Sequence, residues 1–432
     1  HRVDRRQRQM CIRDRSNPQL SSNAASALIS TINESPNTSH NNYVYSETDA
    51  IIPQQSMQWD NLDKSSGDSA SLSSLHWDIN KNGILTKMVL GLRFLQTGSA
   101  TGNLCPNWAV NCISEINISS GGRVIQRMTR EGIMAHISEQ PLYVKGGYIS
   151  GCLMDSAVTA TAATSNVPKD FFLNLYGFWE KNKTALNTSF IQPLRVTVRF
   201  ADFENVCLLT STTSVALDSD YSKLYCQYRN LQDPVDAATI QSNYGDGLLS
   251  QLITTYSQEN PFSFKAETAT SDAAKEYTVN LKETSCIQSM YIFVMVAPAK
   301  NPTDVNIQGT QGKPIKINNI VFRANGNNFV DVPGSLLQLY GSQSIHGSKG
   351  FGATNWENGT AYQSGGTKYI YKIDFGSGDT DQNILSNLLS FRELASPQVI
   401  ITYATEEHTR GADHQIFVCY KRSELSNTVS SN

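Results

Sequence analysis

Three separated segments of this 432-residue chain repeat at one constant spacing. Ile113, Ile116, Ile118 and Gly122 recur as Ile317, Ile320, Phe322 and Gly326, each 204 residues further on. At the same offset Asp170-Phe171 meets Asp374-Phe375, and Pro193, leading into LRVTVRF, meets Pro397, leading into QVIITY. A long period held without realignment marks duplicated domains rather than a short-repeat array. The length agrees, because a chain of this size exceeds what one hydrophobic core usually holds and is expected to divide into two units of roughly 200 residues.

Both units read as β-structure. From Asp170 to Val206 an aromatic strand breaks into a polar loop, then resumes as Leu194, Val196, Val198 and Phe200 alternating with Arg195, Thr197 and Arg199. Period two with β-branched and aromatic residues means a strand with one buried face. Burial of Phe171, Phe172, Tyr176, Phe178 and Trp179 contributes roughly 1.5–3 kcal/mol for each large side chain, against about 0–1 for an exposed ion pair. Apolar packing is therefore expected to position this stretch, read as a hairpin. Charged residues are sparse at 17% and long helical periodicities are nearly absent, which favours an all-β class.

In chain order, residues 1–16 carry six arginines against two aspartates and open on His1 rather than methionine. A basic arm of this kind would neutralise the phosphates of single-stranded nucleic acid, but QMCIRDRS resembles translated library-adapter sequence. The segment is set aside as non-native. Residues 17–56 form an N-terminal arm, with Leu20, Ala24, Leu28 and Ile32 spaced like a short amphipathic helix or lying in a disordered leader. The first domain spans 57–215. It holds a strand, an Asn82-Gly83 turn and an alternating strand through Leu85, Lys87, Val89 and Gly91, followed by a hairpin around Gly121-Gly122. Tyr143–Asn166 reads as a long surface loop, and LLTSTTSVALDSD as an interdomain connection with little to bury. The second domain spans 216–432. It opens on a strand through Leu224, Tyr225, Tyr228 and Leu231 and a helix over 247–256, with Met290–Val296 buried on both faces. A hairpin around Asn325-Gly326, a loop over Gly341–Gly366, a short helix over Asn383–Leu394 and a last strand over Ile416–Lys421 complete it.

Catalytic patterns are missing: GxxxxGK[ST], HExxH, GxSxG and GxGxxG do not occur, so no catalytic, cofactor-binding or metal residue is assigned and no cofactor is expected. His408 and His414 with Glu406, Glu407 and Asp413 could hold a metal, but a solvated loop is the better reading. Asp379 and Asp381 read as a turn rather than a calcium site. The eight cysteines lack CxxC spacing and read as small buried hydrophobes of a reducing compartment. The longest apolar run, Met290–Ala299, is too short to span a bilayer, and the protein reads as soluble and cytosolically made. Sequons at Asn117, Asn182, Asn187 and Asn358 read as chance in an Asn/Ser/Thr-rich chain. A net charge of −3 gives no concentrated basic face, so direct sequence-specific nucleic-acid binding is not expected.

The strand ending in Phe178-Trp179, the loop with Asn182, Ala185 and Leu186, and Pro193-Leu194 entering an alternating strand resemble the double jelly-roll major capsid proteins of eukaryotic DNA viruses: nucleocytoplasmic large DNA viruses, virophages and polinton-like elements. The Asn82-Gly83 corner and the Gly121-Gly122 hairpin are similar to that family too, with Gln126 replacing its usual aspartate. The resemblance implies two tandem antiparallel eight-stranded jelly rolls with a few short helices, and a non-enzymatic structural protein. It further implies a homotrimer forming a pseudo-hexagonal capsomer in an icosahedral virion shell, assembled inside the host cell. Implied partners are neighbouring capsomers, penton and minor capsid proteins, and an internal membrane through the N-terminal arm. The Tyr143–Asn166 and Gly341–Gly366 loops would face outward. A glycan-binding or glycan-cleaving β-sandwich, or the single jelly-roll capsid protein of a small single-stranded DNA virus, remain as alternatives.

Overall fold

The structure, a computed structural model, describes residues 55–65, 74–98, 103–105, 107–138, 158–159, 163–175, 186–188, 192–206, 214–231, 248–265, 274–296, 312, 314–337, 369–375, 389–403 and 413–429. The first sandwich is built from β1 (Gln55–Leu62), β2 (Ser74–Asp78), β3 (Ile84–Gly98), β4 (Ile113–Ser120), β5 (Arg123–Thr129), β6 (Ala163–Asn174), β7 (Leu194–Phe200) and β8 (Lys223–Leu231). Its two sheets run in the orders β1-β8-β3-β6 and β2-β7-β4-β5. The second is built from β9 (Leu248–Gln258), β10 (Lys275–Asn280), β11 (Cys286–Val296), β12 (Asn319–Ala324), β13 (Asn327–Pro333), β14 (Tyr371–Asp374), β15 (Gln398–Tyr403) and β16 (Asp413–Val429). Its sheets run β9-β16-β11-β14 and β10-β15-β12-β13, so the same winding occurs twice.

The duplication is sharpest in the β4–β5 and β12–β13 hairpins. Gly121 and Asn325 both lie at φ 54, and Gly122 and Gly326 at φ 83 and 75, as a two-residue turn with both central residues at positive φ demands. Each ladder slips by one residue at the same place, leaving Ile125 and Phe329, again 204 apart, without a cross-strand partner. The spacing closes to 203 along β7 and β15, where Val196 pairs with Ile118 and Val399 with Phe322. The match of Pro193 to Pro397 is thus one residue out of structural equivalence. Along β7, Leu194, Val196, Val198 and Phe200 are buried and Arg195 and Arg199 exposed, as the alternation predicts. Gln126 sits in line with them across the sheet, pairs with Ile118 and is buried at 2% exposure.

Several expectations need correction. The stretch from Asp170 to Val206 is not a hairpin: β6 pairs with β3 in one sheet, whereas β7 pairs with β2 and β4 in the other. Each strand buries its apolar side from opposite layers of the sandwich, which sequence adjacency does not reveal. Tyr176, Phe178 and Trp179 lie outside the described residues. Lys223–Leu231 does not open the second domain but sits between β1 and β3 as an inner strand of the first. The supposed connection before it contains a strand, Ser214–Leu217, that pairs with β3 and buries Val215 and Leu217.

The helix expected over 247–256 is the strand β9, paired with β16 along its full length. Its Ile253-Thr254-Thr255 run is β-branched, which favours the pleated backbone over the helix. A short helix, α1 (Trp108–Asn111), precedes β4 and is entered through Asn107 at φ 55. Residues 163–166, assigned to the first long loop, belong to β6, and β16 is far longer than Ile416–Lys421. Of the helix expected over Asn383–Leu394, residues 389–390 are strand, 391–393 a 3-10 turn and Leu394 is extended, while 383–388 lie outside the described residues. So do residues 17–54 of the N-terminal arm and the Gly341–Gly366 loop, whereas residues 55–56, assigned to the arm, belong to β1. Cys105, Cys112, Cys226 and Cys419 are buried as expected, but Cys286 is exposed.

A helix joins the two halves. α2 (Arg130–Ser138) follows β5 directly; Thr129 Oγ1 accepts from the Gly132 N–H at 3.2 Å and Glu131 occupies the first turn, both favourable at a helix N-terminus. Ile133, Met134 and Ile137 belong to the same buried cluster as Tyr256, Tyr291, Phe293, Met295, Phe417 and Cys419 of the second sandwich. Those six project from the outer face of the β9-β16-β11-β14 sheet, while Met290, Ile292, Val294, Ile416, Val418 and Tyr420 fill its own core. Hence β11 is apolar on both faces: one side packs inside its sandwich and the other against its neighbour. Polar contacts fix the register of this junction. His136 Nε2 donates to the Asn174 carbonyl at 2.9 Å, leaving Nδ1 to accept from the Tyr256 hydroxyl at 3.4 Å. Thr129 Oγ1 donates to Gln258, and the Asn107 and Asn111 amides both donate to the Gly312 carbonyl at 3.1 Å.

Candidate assembly surfaces

Among the described residues no group of three or more His, Cys, Asp or Glu side chains is placed to hold a metal ion. His414, one of the candidate ligands, is fully buried: its ring stacks on Phe264 at 5.4 Å and its Nε2 shares a hydrogen bond with the Tyr403 hydroxyl at 3.1 Å. It fills space in the second sandwich. Asp413 is exposed at the start of β16, and Glu406, Glu407, His408, Asp379 and Asp381 lie outside the described residues. No helix among the described residues is long and apolar enough to cross a membrane.

What the chain does present is faces. The outer face of the β2-β7-β4-β5 sheet is a lattice of ion pairs. Arg195 grips Asp78 through two bonds of 2.7 and 3.2 Å, and the largely buried Glu115 lies between Arg127 at 2.7 Å and Arg199 at 2.9 Å. The Arg195 hydrogen bonds hold the Asp78 carboxyl below its usual range. Burial pushes the Glu115 carboxyl up, but hydrogen bonds from Asn117 and Arg127 and the nearby guanidinium charges outweigh it and leave it below the usual range. Burial and the Arg195 charge both push the His76 imidazole down. The edge strand β5 carries Arg123, Arg127 and the bulge at Ile125, features that discourage pairing with a further strand. This edge of the sheet is thereby closed to strand addition.

The outer face of β1-β8-β3-β6 is different in kind. Val89 and Gly91 of β3 face outward, with Tyr225 of β8 and Phe172 of β6 flanking them. The two rings are 6.2 Å apart and close over Gly91, where an added Cβ would come within 2.9 Å of Tyr225 and 3.0 Å of Phe172. Trp59, 53% exposed, projects from the same face of β1. Polar contacts rim the patch: Arg93 pairs with Asp170 at 2.7 Å and lies 4.8 Å from the centre of the Tyr221 ring, and Lys223 pairs with Asp63 at 2.9 Å. An apolar aromatic centre inside a polar rim is the anatomy of a protein interface. Exposed aromatics at a sheet face carried no sequence signal separating them from core aromatics, because the period of two fixes which residues share a face but not which face is covered.

No protein-family model and no curated protein matches the chain. Solved structures do. The chain superposes on the PBCV-1 virus capsid protein with a TM-score of 0.58 at 12% identity, over 89% of this chain and 97% of that chain. Against the Faustovirus major capsid protein the TM-score is 0.56 at 9% identity, over 99% and 98% of the two chains. The fold is the double jelly roll. The mavirus major capsid protein carries it as well, with a TM-score of 0.52 at 11% identity over 96% of this chain and 97% of that one. In the double jelly roll the two strand orders found here are the facing sheets of each roll, and α2 is the spacer that sets one roll against the next.

Proposed function

We propose that this chain is a major capsid protein: three copies form a trimer whose six jelly rolls give a pseudo-hexagonal outline, and these capsomers tile an icosahedral virion shell. The observation that carries the reading is the whole-length double jelly roll, shared with three viral capsid proteins over nine-tenths or more of their chains. The physical logic is that a hexagonal footprint fills a lattice by side-to-side contact, with edges managed by neighbouring rolls and subunits. The role is structural rather than enzymatic, and the chain resides in the virion capsid after assembly inside the host cell. Residues 55–231 and 248–429 are assigned to the first and second jelly rolls, and 17–54 to an arm that would reach an internal membrane. Penton and minor capsid proteins complete the set of partners.

The solution mass tests this. Light scattering on residues 17–432 at several concentrations is expected to give a stable species of about three times the chain mass, with interfaces typically burying more than about 2,000 Å². A persistent monomer would overturn the capsomer and redirect attention to a glycan-active sandwich.

A further inference from the structure

One row of residues differs in kind between the two cores. In the first roll Trp77 of β2, Val196 of β7, Ile118 of β4 and Gln126 of β5 stand side by side across one sheet, each the register partner of the next. Directly paired residues share a face. This row faces the interior: Trp77 and Val196 are 0%, Ile118 1% and Gln126 2% exposed. The equivalent row of the second roll is Val279 of β10, Val399 of β15, Phe322 of β12 and Val330 of β13. The two bulges fix the match, because Gln126 and Val330 each follow the residue that the ladder skips and lie 204 positions apart.

The second row is apolar throughout, whereas the first has a polar group at each end. Neither amide atom of Gln126 nor the indole N–H of Trp77 has a hydrogen-bonding partner among the described residues. A buried amide left so is costly, and an apolar residue in its place would remove that cost. Val330 shows that the sandwich accepts one at this position, so Gln126 answers to something particular to the first roll. Adjacent strands lie about 4.8 Å apart, which sets the two ends of the row roughly 14 Å apart, further than the amide and the indole can span by a direct bond. Val196 and Ile118, between them, are shorter than either.

We infer that the core of the first roll binds ordered water, held as a short file between the Trp77 indole and the Gln126 amide. The ligand is identified by what the two groups offer. Together they present donors from the indole and amide nitrogens and an acceptor from the amide oxygen, all of them neutral. A cation would find one neutral oxygen and an anion no positive charge, so neither recovers its dehydration there. Water both donates and accepts, and a buried water typically satisfies about three such polar atoms. Linked in this way, residues with no direct contact become one hydrogen-bonded unit that ties β5, at one edge of the sheet, to β2 at the other. The site stands whether or not the chain forms the capsomer.

Two measurements test the site. A crystallographic map of the full chain, at a resolution that shows ordered water, is expected to hold density peaks about 2.7–3.2 Å from Trp77 Nε1 and from the Gln126 amide. None is expected along the Val279–Val399–Phe322–Val330 row. Protein atoms bonded to the Gln126 amide, or no peak beside it, would overturn the inference. The second measurement is a double-mutant cycle read as Tm. Trp77→Phe and Gln126→Met each remove a polar group while keeping most of the apolar volume. Residues this far apart with no shared partner lose stability additively, whereas residues joined through water do not. Each single variant is therefore expected to lower Tm by about 1–3 °C, and the double variant by little more than the larger single shift. Additive losses, or a Gln126→Met chain that melts above the unaltered one, would contradict the shared water. Should Trp77→Phe fail to fold, the sign of the Gln126→Met shift and the density still decide the matter.

Discussion

Phe293→Ala is expected to split the heat unfolding of this protein into two calorimetric transitions, the native chain being expected to show one. Phe293 is fully buried and stacks on Phe417 at 5.3 Å, but its partners belong to the junction cluster and not to the core of its own sandwich. Truncating a buried phenylalanine costs about 3–5 kcal/mol through lost transfer free energy and the cavity left behind. Here that loss falls on the coupling between rolls. Phe322→Ala removes a similar volume from the second roll's own core, so it should lower that roll's stability without uncoupling the pair. A single transition in the Phe293 variant, merely shifted down, would show that the α2 contact is not what makes the two rolls melt together.

The second large effect is expected at Gly334. A Cβ there would lie 2.3 Å from the Ile317 carbonyl oxygen and 2.9 Å from a Tyr371 ring carbon. Neither can retreat cheaply. Ile317 is held through both backbone groups by the Tyr371 hydroxyl, which accepts from its N–H at 2.8 Å and donates to its carbonyl at 3.3 Å. The Gly334 N–H is itself committed to the Asn318 carbonyl at 2.9 Å. Gly334→Ala should therefore reach the upper end of the overpacking range, about 3 kcal/mol, and lower the Tm of the two rolls melting together by roughly 3 °C. Arg130→Ala, at the equivalent place in the first roll where a side chain is already accommodated, is the control and should shift Tm far less. Equal shifts in the two variants would contradict the close approach.

The parts of this fold that the sequence made legible are those where local chemistry has one solution. The Gly121-Gly122 and Asn325-Gly326 turns require positive φ at both positions, and only Gly and Asn supply it cheaply. The alternation of β7 follows from one buried face, and the continuous apolar run of β11 announces burial on two. What escaped was non-local. Nothing in the residues of β6 and β7 says that they lie in opposite sheets, because each needs only a core on one side. Lys223–Leu231 carries the same alternation whether it closes the first roll or opens the second.

The junction was half visible. Tyr291, Phe293 and Met295 announced a second buried face, but its cover, α2, was not recognised. Its signal was present in Thr129 as an N-cap, Glu131 in the first turn, and Ile133, Met134 and Ile137 along one side. The open face of the first roll could not be read at all, since exposure of Trp59 depends on what packs in three dimensions.

In the proposed capsomer the two rolls of each chain are repeated by threefold symmetry into a hexagonal particle. Cryo-electron microscopy of the purified full chain tests it most directly. The expected result is a threefold particle in which six sandwiches surround the axis. A particle containing only the two sandwiches of a single chain, or an assembly without threefold symmetry, would contradict it.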